Sequence, residues 1–259
     1  MPGNPDTVVS ALRAALATDP GRPLVTFYDG GSGERVELSV TTFDNWVTKV
    51  ANLFADDLLL EPGERICVSL PTHWQSSVVL LGAWTAGLTV SLTTTVDDVA
   101  AHVVGPGADA DTARHTGGQV ISCSLRPLGG PSLTPLPAGW IDFGTEVPGQ
   151  PDVLAFTPAV DADGTAADTD HGPRTHAELM RAARDTASML TLSPAARLLT
   201  DVNPATPSGL VAALAAPLVA GSSVVLLVNV DRDTEATISA QERVTASVRS
   251  GDLGPGWPD

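Results

Sequence analysis

Apolar residues recur along the chain in two rhythms. Val8, Leu12 and Leu16 stand at helical spacing and predict a short amphipathic helix. LVTFYDGGSGERVELS reads as two strands around a glycine-rich turn. A strand rather than a helix follows GGSG, so that piece is predicted to be a hairpin tip and not a nucleotide loop. Phe43, Trp46, Val47, Val50, Leu53, Phe54 and Leu58 then mark one face of a long helix. EPGERICVSLP gives a turn and a continuous apolar strand, WQSSVVLLGAWTAG a helix closed by Gly87, and LTVSL another strand. AAHVVGPG, a small-residue helix in ADADTARHTGG, and QVISCSL continue the alternation. Strands separated by helices of this length imply a mostly parallel sheet covered on both faces.

The rhythm lapses from Ser124 to Asp152, where six prolines read as an extended connector. It resumes with VLAFT as a strand. A helix is predicted from Thr175, with Thr175 as N-cap, Glu178 at capping-box spacing, and Leu179, Ala183, Ala187 and Leu190 as its buried stripe. RLLTDV, SGLVAALAAPLVAG and SSVVLLVNV follow as strand, helix and strand. TEATISAQERVTASV is expected to be one more helix, and GDLGPGWPD a frayed tail. The expected fold class is α/β: two layered α/β lobes with mostly parallel sheets. The expected boundaries are a first lobe at 1–123, a connector at 124–152, a second lobe at 153–250 and a tail at 251–259.

Composition narrows the function classes. The 259 residues are 43% hydrophobic, enough for a real core, and carry a formal charge of −16. Thirteen arginines and one lysine, Lys49, face thirty acidic residues without any basic cluster. Nucleic acid and anionic membrane surfaces are therefore excluded as partners. Cys67 and Cys123 lie in apolar runs and are expected to be buried thiols. No basic leader with an apolar core opens the chain. The uncharged run Gly209–Val230 is cut by Pro217 and by Gly221-Ser222-Ser223 into pieces of soluble length, so a cytoplasmic location is expected. His73, His102, His115, His171 and His176 are scattered, with no pair at metal-ligand spacing on one helix. No Gly-x-Ser-x-Gly elbow supports a serine hydrolase.

The stretch FTPAVDADGTAADTDHGPRTHAEL, from Phe156 to Leu179, holds the candidate chemistry. Its Asp161, Asp163, Asp168 and Asp170 alternate around a glycine in the manner of a calcium loop. It is not an EF-hand, because the third alternating ligand and the terminal glutamate are missing. A solvated acidic insertion and a divalent-cation site are both open readings.

The order of pieces resembles the first half of the large domain of the acyl-adenylate-forming superfamily, the AMP-binding synthetases and ligases that include acyl-CoA synthetases. LSVTTFDNWV, EPGERICVSLPTHW, GAWTAGLTVSL, FT…THAEL and GLVAALAAPLVAGSSVVLL carry the resemblance over nearly the whole chain. It looks closest to a short actinobacterial offshoot. The resemblance implies a phosphate loop of the type T-S-G-T-T-G-x-P-K-G at 156–176. Thr157, Gly164, Thr165, Thr175 and His176 match parts of it, whereas Pro158 removes an amide donor and no lysine is present. At about 8 Å and an effective dielectric near 20, each aspartate would oppose a phosphate charge by roughly 2 kcal/mol. The family's P-x-F-H-x-x-G-L motif corresponds to Asn203–Leu210, with Thr206 at the histidine position. The chain ends before the family's adenine-binding, ribose-binding and C-terminal lysine motifs.

The expectation is accordingly a non-enzyme with no catalytic residue. No cofactor is expected; ATP, AMP or a divalent cation enters only if another reading holds. The expected role is structural, regulatory or protein-binding, through a protein partner or a homodimer. The alternatives are half of a split adenylate-forming ligase completed by another chain, and a divalent-metal module.

Overall fold

The strand predicted in LVTFYD forms as β1 (Pro23–Asp29), and its parallel neighbour comes from the far end of the chain: Val25 stands opposite Val224. This computed structural model describes residues 5–93, 98–109, 117–154 and 158–253. The non-local pairing divides the chain differently from the expected lobes. One unit contains residues 1–43, 72–74 and 176–259, and the other contains 44–71 and 75–175. Periodicity reports which face of an element is apolar but not which distant strand it joins, so the 1–123 and 153–250 boundaries fail here.

The first unit holds a five-stranded sheet in the order β12-β10-β11-β1-β2. Its members are β1, β2 (Glu34–Ser39), β10 (Arg197–Thr200), β11 (Ser223–Val228) and β12 (Ala246–Val248). All pairings are parallel except β1 with β2, the hairpin expected around GGSG. Capping by Thr7 starts α1 (Val8–Thr18), which buries Val8 and Leu12 as its spacing requires. α5 (His176–Met189) packs on a continuous helical run made of α6 (Pro207–Gly209), a π-helical stretch (Leu210–Ala215) and α7 (Ala216–Val219). Pro217 cannot donate an amide hydrogen bond, which accords with the widened π turn before it. On the opposite face, Ile238 of α8 (Arg232–Gln241) packs against Leu199, Val225 and Leu227.

The single helix expected in TEATISAQERVTASV is instead α8 followed by strand β12. Arg243 takes a φ of 53° and ends the helix, and Ala246, Ser247 and Val248 beyond it pair with β10. Glu242, at the bend, is 7% exposed and accepts from Tyr28 Oη (2.6 Å) and from Arg35 (2.8 Å), with Arg197 at 2.7 Å.

The second unit holds a seven-stranded sheet in the order β7-β6-β5-β3-β4-β8-β9. These strands are β3 (Arg65–Ser69), β4 (Thr89–Ser91), β5 (Ala101–Val104), β6 (Gln119–Ser122), β7 (Ile141–Asp142), β8 (Thr165–Thr169) and β9 (Gly172–Thr175). Only β9 runs antiparallel. Helices α2 (Val40–Asn52), extended by a π turn at Leu53–Asp57, and α3 (Trp74–Thr85) cross at Gly82. A Cβ at Gly82 would lie 2.5 Å from Val50 Cγ1. Cys67 and Cys123 are free and buried, as expected.

Two expectations for this unit need correction. The segment 124–152 is no extended connector: it contributes edge strand β7 and the short helix α4 (Phe143–Glu146), capped by Asp142. Lys49, the only lysine, holds its end through the carbonyls of Pro148 and Gln150 and an ion pair with Asp152. The second correction concerns VLAFT. Val153 and Leu154 are not strand, and Ala155–Thr157 lie outside the described residues. The strand that joins the sheet is β8, in the middle of the supposed aspartate loop. The small-residue helix of 108–118 likewise falls mostly outside the described residues.

Candidate functional site

Two of the residues singled out for phosphate binding, Thr165 and Thr175, sit on a hairpin. β8 is inserted between β4 and β9, with Ser91 opposite Asp168 and Thr165 opposite Thr175. Trp84, fully buried, fixes β8 by donating its indole N–H to the carbonyl of Ala166 at 2.8 Å. The two strands are joined by Asp170 and His171 alone, both at negative φ, followed by Gly172 at φ 97°. Thr169 closes the turn: its hydroxyl donates to the Gly172 carbonyl (2.8 Å) and accepts from the His171 N–H (3.2 Å). A type I turn followed by a left-handed glycine is a standard way to close a short hairpin. A ten-residue phosphate loop has no room between these strands.

Sequence-predicted site residues are thus only partly brought together. Thr165 and Thr175 are direct register partners, with Gly164 adjoining at the open end of the hairpin. Thr157 lies outside the described residues. His176 opens α5, where burial pushes its imidazole down to about 4, so it is neutral near pH 7. The aspartates spread along the hairpin rather than converge. Asp161 accepts from the Asp163 N–H (3.1 Å), Asp168 pairs with Arg65 (3.1 Å), and Asp170 stands at the turn. Five strand residues at about 3.3 Å each separate Asp163 from Asp170. Among the described residues no group of three or more His, Cys, Asp or Glu side chains can hold a metal ion.

The segment Asn203–Leu210 is also closed on itself. Thr206 caps α6, donating to the Asn203 carbonyl (2.8 Å) and accepting from the Gly209 N–H (3.2 Å). A Cβ at Gly209 would meet that same carbonyl oxygen at 1.8 Å. The Thr206 hydroxyl is therefore occupied by local structure. Thr-Pro at a helix start is a recognisable cap signal that sequence reasoning passed over.

Sequence reasoning also missed a crevice of about 470 Å³ in the first unit, lined by Thr72, Asp201, Asn229, Asp231 and Arg249 among others. It lies at the carboxyl ends of β10, β11 and β12, where the chain leaves β10 in one direction and β11 in the other. Such switch points are where open α/β sheets bind ligands. Here the polar groups are committed to the protein. Asp201 accepts from Ser250 N–H (2.7 Å), Asp231 caps α8 by accepting from Thr234 N–H (2.8 Å), and Arg249 pairs with Glu235.

No protein-family model matches the chain. A Mycobacterium tuberculosis relative described as a TIGR03089 family protein is 34% identical over 249 residues, covering 93% of this chain and 98% of the relative. The chain belongs to the TIGR03089 family. Solved structures with the same fold include an acyl-CoA synthetase from Brucella canis (TM-score 0.79, 17% identity, 97% of this chain and 49% of that one). Apo MatB from Rhodopseudomonas palustris (0.74, 18%, 93% and 48%) and MbtA from Mycobacterium smegmatis (0.73, 20%, 93% and 47%) are further examples. The chain spans about half the length of each of these structures. This TIGR03089 family member therefore has the mixed α/β fold, with mostly parallel sheets, of the N-terminal part of adenylate-forming enzymes. Among its described residues no helix is long and apolar enough to cross a membrane.

Proposed function

We propose that this TIGR03089 family protein uses the adenylate-forming scaffold without its chemistry, in a structural, regulatory or protein-binding role. The observation that carries this reading is the two-residue turn between β8 and β9. An ATP phosphate chain is bound by backbone amides and cationic groups that surround it. Asp170 and His171, closed over by Thr169, offer a tight turn in place of such a cradle. Arg65 is engaged by Asp168 and Asp98, and the only lysine is spent on the carbonyls of Pro148 and Gln150. Thr206 adds support because its hydroxyl is used to start a helix. Carboxylate-dependent exchange of pyrophosphate into ATP tests the reading. No exchange above background is expected for the chain across short, medium and aromatic carboxylates, and measurable exchange would overturn it.

The alternative, a ligase half completed by a second chain, is favoured by one observation: each solved structure of this fold cited above is about twice as long. It predicts exchange only when a chain carrying the remaining motifs is added.

A further inference from the structure

Within the second unit a cavity of about 590 Å³ lies between the π turn after α2 and the segment 132–146. Its apolar walls are Leu53, Leu58, Leu133, Leu136, Trp140 and Ile141. Its charged groups are Asp57, Asp142 and Glu146, with no basic side chain in the lining. Asp142 is consumed in holding the wall: it accepts from the N–H groups of Ser132 (2.9 Å) and Gly144 (3.0 Å). Asp57, one of whose oxygens accepts from Gln150 Nε2, and Glu146 are exposed at the rim. Leu133 is 79% exposed and Leu128, nearby in sequence, 77%, so the apolar surface extends toward water rather than closing over the cavity. Pro131, Pro135 and Pro137 stiffen this wall, and Ser132 Oγ bonds the Thr134 carbonyl across it (2.9 Å). A fixed wall lowers the ordering cost of association.

We propose that this groove docks a partner-protein segment carrying one or two large aliphatic side chains flanked by lysine or arginine. The aliphatic groups fill the cavity between Trp140 and Leu53, and the cations meet Asp57 and Glu146 at the rim. Charge sign disfavours an acidic segment, because the charged groups of the lining are all carboxylates in a chain of net charge −16. This inference names the partner chemistry of the protein-binding role proposed above and rests on that reading. Its test is nevertheless separate, since it reads peptide binding and not nucleotide chemistry.

The experiment labels the protein with 5-fluorotryptophan and follows the Trp140 fluorine resonance, assigned by its loss in Trp140→Phe. Three short synthetic peptides of equal length are titrated: one of lysine and leucine, one with serine for leucine, one with glutamate for lysine. The lysine–leucine peptide is expected to shift the Trp140 resonance saturably and to bind about tenfold more tightly than either control. The double variant Asp57→Lys, Glu146→Lys, both at exposed positions, is expected to transfer that preference to the glutamate–leucine peptide. Equal binding of the lysine–serine peptide would reduce the effect to bulk charge attraction and overturn the proposal. So would an unchanged preference in the double variant, or no saturable shift at Trp140. Pyrophosphate exchange by the same preparation would sink the non-catalytic reading while leaving the groove's peptide preference as measured.

Discussion

The β1–β2 and β8–β9 hairpins both end a parallel sheet with an antiparallel edge strand, and both turns finish on a glycine at positive φ, Gly33 at 77° and Gly172 at 97°. Their construction differs. The first turn has four residues, and Asp29 organises it by accepting from Gly31 N–H, Ser32 Oγ and Asn229 Nδ2. Gly30 packs so closely on the loop after β11 that a Cβ there would stand 2.2 Å from the Asn229 carbonyl oxygen. The second turn has two exposed residues before its glycine and is closed by Thr169, while its strand is anchored by the hydrogen bond from Trp84 to the Ala166 carbonyl. One hairpin is thus locked at its tip and the other at its base.

Trp84→Ala should break this contrast most severely. It removes a fully buried indole and the hydrogen bond to Ala166, at a cost of about 3–5 kcal/mol. Hydrogen exchange should accelerate in β8–β9 before β1–β2, whereas uniform acceleration would mean that the base is not a local lock.

Acid should act chiefly on the unit containing β1–β2. Burial pushes His73 and His176 down to about 4, from an unfolded value near 6.5. The unfolded chain therefore takes up the protons first, so stability is complete above about pH 6.5 and falls as pH drops toward 4. The loss is about 2–3 kcal/mol per histidine. Thermal melts between pH 7 and 4 check this, and His73→Gln should flatten the slope by about half.

Gly30→Ala should cost about 1–3 kcal/mol, because both neighbours in the clash are backbone. Gly172→Ala meets no atom within 4 Å, so only the left-handed backbone opposes it, at about 1 kcal/mol. A denaturant midpoint series on the two variants should preserve that order, and the reverse order would locate the tight tip in the wrong hairpin.

The same comparison explains what the sequence disclosed. VTFYD and RVELS alternate β-branched or aromatic residues around glycines, so the first hairpin was legible. TAADT has small side chains and an aspartate, and reads as a loop by propensity. It is a strand because Ala166 and Ala167 are fully buried, the Ala166 carbonyl accepts from Trp84, and Ala167 pairs with Val90 of β4. Context overrides propensity in a buried central strand. The residue types of the candidate site were legible, including the absence of lysine from 156–176 and Thr206 within Asn203–Leu210. Its geometry was not: the pairing of Thr165 with Thr175 depends on a register that only the folded sheet sets.

The central proposal is that the β8–β9 turn offers no phosphate cradle, and titration calorimetry of Mg-ATP into the chain tests it most directly. The account predicts no affinity tighter than about millimolar, equivalent to roughly 4 kcal/mol of binding. Micromolar Mg-ATP binding, abolished by substitutions at Asp170 and His171, would contradict it.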